Sequence, residues 1–232
     1  MIPVRVTSIH EIELSSRCNL ACKYCPHPKL ERDKADMTWP VFQRCMDHVE
    51  FYCRQGTQGE LSLTGIGEAI MHPFFTEALI MARAAIGRHR PLTLSTNGVA
   101  MTPELARIMR QTGTQVYVSM HRPEKAGPAY EMLKKEGALA GLNSAFVDNS
   151  FDWAGQVKWH ASAERRPCEY LKQGWGVIRQ DGSVTTCCLD AHAKHAIGHV
   201  NDELGTLTTG ATALCSGCHM VPPEEVIHEA AA

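Results

Sequence analysis

The stretch S-S-R-C-N-L-A-C-K-Y-C-P-H, residues 15–27, decides the reading of this chain. Cys18, Cys22 and Cys25 fall within eight residues, directly after H-E-I-E-L-S (10–15), whose apolar–polar alternation predicts a strand. Three thiols in a loop are open to several readings. The i, i+4, i+7 spacing is that of one buried helical face, but Asn19, Lys23 and the stop at Pro26 argue against a helix there. A structural zinc site wants four ligands, usually in two separated pairs, and the local set is three. A [4Fe–4S] cube held by three thiolates keeps one iron open, as a metal must be to bind a substrate or cofactor directly.

The rest of the chain supplies the setting. It has 232 residues, a formal net charge of −2 and ten cysteines. The length predicts one large domain or a domain with an appendage, with a core that needs no staples. The balanced charge gives no sign of a nucleic-acid or membrane surface. M-I-P-V-R-V-T-S-I-H has no charged head followed by a long apolar run, so no signal peptide and no membrane span are expected. The expected location is the cytoplasm, where clustered cysteines signal metal or redox chemistry more often than disulfides.

Helices are expected at Thr38–Gly56, Pro73–Ile86, Pro103–Thr112 and Ala129–Leu142, and strands at 60–65, 91–98, 115–121, 144–148 and 156–160. Repeated β–α units imply parallel strands, with the chemistry at their carboxyl ends. From Arg165 onward W-G-V-I-R-Q-D-G-S-V-T-T-C-C reads as a hairpin with a D-G turn, followed by L-C-S-G-C-H (214–219). Cys45 and Cys53 lie on the apolar face of the first helix and are expected in the core.

C-x-x-x-C-x-x-C after the first strand of a β/α chain resembles the radical S-adenosylmethionine (SAM) superfamily. Further segments match in order: T-G-I-G-E-A-I-M-H-P (64–73), with Gly67 and Glu68 in the family's G-G-E-P-type loop but Ile66 and Ala69 in place of its other glycine and its proline; then S-T-N-G (95–98); then Ser119 and His121. The resemblance implies a partial (β/α)6 TIM-like barrel over residues 1–163, a first cluster on Cys18, Cys22 and Cys25, and SAM contacts from Tyr24, Gly67, Glu68, Ser95, Thr96, Asn97 and Ser119. It also implies reductive cleavage of SAM to a 5′-deoxyadenosyl radical that abstracts a substrate hydrogen. An electron donor such as flavodoxin or ferredoxin and a monomeric protein are expected with it.

P-C, D-G-S-V-T-T-C, I-G-H-V and C-x-x-C resemble the small α+β twitch domain, a shortened SPASM domain, over 164–220, with 221–232 as a tail. That resemblance implies an auxiliary [4Fe–4S] cluster on Cys168, Cys187, Cys215 and Cys218, with Cys188 a rival to Cys187. On spacing alone this set also suits a zinc ribbon, and a non-catalytic zinc-binding protein is the alternative of another class. Length and layout resemble the 2-deoxy-scyllo-inosamine dehydrogenases, which are twitch enzymes, but Trp153 stands where they carry an arginine suspected of handling the substrate proton. His121, His160 and Trp153 are therefore the expected substrate-side residues. An auxiliary cluster favours a two-electron oxidation of a small molecule or peptide. A redox-neutral rearrangement or modification of an amino acid, peptide or modified nucleoside is the alternative.

Overall fold

The computed structural model describes residues 4–120, 122–143, 152–158 and 166–221. Two short strands open it, β1 (Val4–Arg5) and β2 (Ser8–Ile12). There follow α1 (Trp39–Gln55), β3 (Leu61–Ser62), α2 (Phe75–Ile86), β4 (Leu92–Thr96), α3 (Pro103–Gln111), β5 (Thr114–Val118), α4 (Pro123–Glu136) and β6 (Leu139–Leu142). The later part holds β7 (Arg166–Pro167), α5 (Glu169–Gln173), β8 (Trp175–Ile178), β9 (Ser183–Thr185), β10 (Ala196–His199), β11 (Thr208–Thr209) and β12 (Met220–Val221).

Among the described residues the main sheet runs β10-β9-β8-β2-β3-β4-β5-β6. Every pairing from β8 to β6 is parallel, and β9 and β10 add antiparallel. Helices cross over between successive strands, giving an α/β open partial barrel. α1 shows why the sequence folds so. Phe42, Cys45, Met46, Val49 and Tyr52 repeat at helical spacing and are all buried. Gly56 ends the helix at φ +77°, a left-handed conformation that glycine adopts without Cβ strain. Thr38 flanks the start as expected but its side chain makes no capping bond, whereas Thr102 caps α3 by accepting from the Leu105 amide.

Two expectations need correction. The fourth helix begins at Pro123, not Ala129, and ends at Glu136, with Gly137 as its C-cap; residues 139–142 are strand β6, paired with β5. Pro128 sits inside α4. Its ring costs a backbone hydrogen bond, offset by burial of Ala126, Ala129 and Leu133 on the inner face. The strand expected at 156–160 is a turn over 156–158. Its last two residues, and the strand expected at 144–148, lie outside the described residues.

The hairpin β8–β9 forms across the D-G turn, with Gly182 at φ +90°. It joins the barrel directly, since β8 pairs in parallel with β2. Ile178, Val184, Val200 and Leu207 share one core with Ile9, Ile12 and Leu94. Sheet and core thus run without a break past residue 164. Cys45 is fully buried and Cys53 packs against the same core.

Candidate active site

The carboxyl ends of the parallel strands surround a cleft of about 1040 Å³, counting its mouth. Cys18, Cys22, Tyr24 and Cys25 line it from the loop after β2, Thr64–Glu68 from the loop after β3, Ser95, Thr96 and Asn97 from the end of β4, and Ser119 from beyond β5. Trp153 and Cys188 come from later in the chain. All the expected contact residues that the structure describes therefore meet in one cavity. His121 and His160 lie outside the described residues.

The loop after β3 is wedged against the end of β2. A Cβ on Gly67 would stand 2.3 Å from the Ser15 carbonyl oxygen and 2.5 Å from that of Arg17, so only glycine fits. The Glu68 amide donates to the Arg17 carbonyl at 2.7 Å, which turns the Glu68 side chain inward. Its carboxylate is 3% exposed and accepts from the Thr96 hydroxyl and the Asn97 amide, each at 2.7 Å. Burial pushes this carboxyl up to about 7, against the pull of those donors. A cation placed beside it would pull it back toward the ionised form. The Asn97 side-chain amide donates to the Asn19 side-chain oxygen at 2.8 Å and lies 3.7 Å from Cys18 Sγ, which links the β4 end to the cysteine loop.

Backbone amides point at sulfur in this loop: Leu20 N–H toward Cys18 at 3.4 Å and His27 N–H toward Cys25 at 3.5 Å. Burial raises both thiols, Cys25 to about 12, so a positive centre is what would hold them as thiolates. Trp153 donates its indole N–H to the Tyr24 carbonyl at 3.0 Å. Trp153 and Ala154 both adopt left-handed backbone, φ +55° and +56°, a strained geometry that the turn imposes to place the indole.

A second cavity of about 720 Å³ is lined by Cys168, Cys187, Cys188, Cys215 and Cys218. Cys188 borders both cavities. Among the described residues no three His, Cys, Asp or Glu side chains gather closely enough to hold one metal ion.

Sequence reasoning missed four charged residues that hold the two cavities together. Glu13 is fully buried and accepts from the Ile66 amide at 2.9 Å and from Arg32 at 2.8 Å. Arg32 also donates to the Ala191 carbonyl at 2.7 Å and to the Gln180 side chain. Arg179, 0% exposed, donates from Nη2 to the carbonyls of Cys187, Cys188 and Asp190 at 2.9, 3.1 and 3.0 Å. Glu11 Oε1 lies 3.9 Å from Arg179 Nη1, and burial drives its carboxyl well above the usual range. One signal was available: Glu11 and Glu13 alternate onto one face of the H-E-I-E-L-S segment that forms and follows β2, and in a barrel that face is interior.

Residues 12–138 match the radical SAM superfamily. The chain belongs to that superfamily. Members of the superfamily carry a [4Fe–4S] cluster and use SAM. A protein from Pyrococcus furiosus described as a tungsten-containing aldehyde ferredoxin oxidoreductase cofactor-modifying protein is 34% identical over 153 residues, 64% of this chain and 40% of its own length. The mycofactocin maturase MftC of Mycobacterium tuberculosis is 30% identical over 61% of this chain and 31% of its own length. The chain thus spans less than half the length of these relatives. The S-adenosyl-L-methionine-dependent 2-deoxy-scyllo-inosamine dehydrogenase of Niallia circulans is 22% identical over 86% of this chain and 80% of its own length. Among solved structures, BtrN in complex with AdoMet and 2-DOIA superposes with a TM-score of 0.70 at 20% identity, covering 85% of this chain and 79% of that one. AdoMet-bound anSMEcpe gives 0.59 at 17% identity, over 84% and 78%. These likenesses establish the radical SAM fold. Among the described residues no helix is long and apolar enough to cross a membrane.

Proposed function

We propose that this radical SAM enzyme carries two iron–sulfur clusters and performs a two-electron oxidation of a small molecule or peptide. The observation that carries the reading is the shared wall. The cavity holding Cys18, Cys22, Cys25 and Glu68 abuts a second cavity lined by five cysteines, with Cys188 common to both. Cys18, Cys22 and Cys25 would hold the first [4Fe–4S] cluster. Glu68 and the Gly67 backbone would hold the SAM ammonium, Ser95, Thr96, Asn97 and Ser119 its carboxylate and ribose, and Tyr24 would lie by the adenine. Cys168, Cys187, Cys215 and Cys218 would hold the auxiliary cluster. Bound there, the first cluster and SAM supply a 5′-deoxyadenosyl radical and the second cluster supplies an electron sink.

The chain's own residues position and shield. Glu68, fixed by Thr96 and Asn97, presents a preorganised acceptor for a cation. Trp153, pinned to the Tyr24 carbonyl, walls the cavity and excludes water. His121 and His160 are the proposed proton acceptors. Residues 1–163 are assigned to the barrel, 164–220 to a twitch-type unit and 221–232 to a tail. A flavodoxin or ferredoxin is the proposed electron donor to a cytoplasmic monomer.

Anaerobic reconstitution tests the reading. It expects about eight irons per chain and 5′-deoxyadenosine on reduction with SAM. With labelled substrate, stoichiometric loss of SAM supports oxidation. Return of the label from 5′-deoxyadenosine to product would replace it with a redox-neutral rearrangement. A colourless zinc protein that yields no 5′-deoxyadenosine ends it.

A further inference from the structure

The segment just after the first cysteine loop is held at three consecutive residues by the chain that flanks Cys187 and Cys188. The Glu31 amide donates to His192 Nδ1 at 3.2 Å, and the Glu31 carboxylate pairs with Lys194 at 2.7 Å. Arg32 Nε donates to the Ala191 carbonyl at 2.7 Å, and its Nη1 to the Gln180 side chain. The Asp33 carbonyl accepts from Gln180 Nε2 at 3.1 Å. It also accepts from the Ser16 hydroxyl at 2.9 Å, two residues before Cys18. The chain reaches Ala191 from Cys187 through a turn that the Asp190 amide closes on the Cys187 carbonyl. A metal bound by Cys187 would fix that turn, and with it the acceptor that aims Arg32.

The third arm of Arg32 points the other way. Its Nη2 lies 2.8 Å from both carboxylate oxygens of Glu13. Glu13 is 0% exposed, and among the described residues no other cation pairs with it. Its Oε1 accepts from the Ile66 amide at 2.9 Å. The loop after β3 lies directly on this side chain, since a Cβ on Gly65 would stand 2.3 Å from Glu13 Cγ. Gly67 and Glu68, the residues assigned to the SAM ammonium, come next. Without Arg32, Glu13 is a buried carboxylate with no cation, which drives it to take a proton or turn toward water. Either change weakens or moves the acceptor that holds Ile66.

We propose that Arg32 is a positioning residue through which the loop carrying Cys187 sets the SAM site, so that SAM binds tightly only when the second cavity holds its cluster. The proposal rests on the two-cluster reading above. Coupling of this sign withholds SAM from a chain that lacks its electron sink, and so keeps an unusable radical from forming.

The test uses the anaerobically reconstituted enzyme and SAM itself. Affinity is read by calorimetric titration, and iron is counted for every protein. Cys215→Ala and Cys218→Ala should each keep about half the iron and bind SAM about tenfold more weakly. Arg32→Met should keep all the iron and lose affinity by a similar factor. When Arg32→Met is combined with Cys215→Ala the two losses should not multiply, because each cuts the same link. Arg32→Lys covers the case in which the Met variant misfolds. Its ammonium can still pair with Glu13 but cannot span Glu13, Gln180 and Ala191, so it too should weaken SAM at full iron. Lys194→Met removes only the exposed pair to Glu31 and should bind SAM as wild type does. Unchanged affinity in the cysteine or the Arg32 variants, losses that multiply, or an equal loss in Lys194→Met overturns the proposal. So does loss of the first cluster's iron in both cysteine variants or in both Arg32 variants, which would make the link one of folding. Wild type with iron for one cluster only would instead overturn the two-cluster reading beneath it.

Discussion

The two cysteine cavities are built by opposite means. The first takes its three thiols from one loop of eight residues, and its partners arrive in chain order from the ends of successive strands. The second draws five cysteines from three separate segments around residues 168, 187 and 215. Its loops are tied down by arginines whose counter-ions lie on and just after β2. A local site depends on its own loop, whereas an assembled one depends on every strap that gathers it. That difference is open to attack by substitution.

The largest effect is expected at the first site. Cys22→Ala should abolish 5′-deoxyadenosine formation, a loss of at least about a thousandfold, while iron analysis should still find the share of the proposed auxiliary cluster. Arg179→Met should act on the other cavity. It strips Glu11 of its cation and three carbonyls of their donor, at a cost of about 3–5 kcal/mol for breaking a buried pair. Thermal unfolding should report that cost, with iron of the proposed auxiliary cluster lost first. Gly67→Ala should lie between these and a silent change. Its Cβ meets backbone carbonyls at 2.3 and 2.5 Å, so the loop must shift. A displacement of that order costs about a hundredfold in activity, with little change in iron.

Glu68 gives a pH test. Its carboxyl, raised by burial to about 7, protonates as pH falls through that value and ceases to attract a cation. SAM affinity should therefore fall by up to about tenfold per unit below that point and level off above it. Calorimetric titration across the range measures it, and Glu68→Gln should flatten the profile at the weak end. The smallest effect is expected from Cys45→Ala. This thiol is fully buried at 3.9 Å from Met37 Sδ, so its loss should cost about 1 kcal/mol and leave the iron count unchanged.

The contrast between the cavities also explains what the sequence disclosed. The first cavity was legible because its chemistry lies in short motifs, each fixed to the end of a strand with clear alternation. α1 to α3 were legible because their apolar faces repeat with caps or glycine stops. α4 was misplaced because Pro128 looks like a barrier, and only the burial of Ala126 and Leu133 shows that the helix passes through it. The attachment of β8 to β2 was not legible, since it joins residues far apart in sequence and periodicity carries no partner information. Glu11, Glu13, Arg32 and Arg179 were missed for the same reason. Each is an ordinary charged residue until tertiary contact buries it.

The pairing of β8 with β2 also bears on how the chain is made. β2 ends at Ile12 and its neighbour β8 starts at Trp175, about 160 residues later. At ribosomal rates of ~5–20 residues per second, one edge of β2 waits about ten to thirty seconds for its partner. During that interval an apolar strand edge, next to three reactive thiols, is open to pairing with other chains. Slow, long-range closure of this kind favours aggregation over folding as temperature and expression rise. Yield should therefore improve at low expression temperature, and fragments ending before Ile178 should be found in the insoluble fraction.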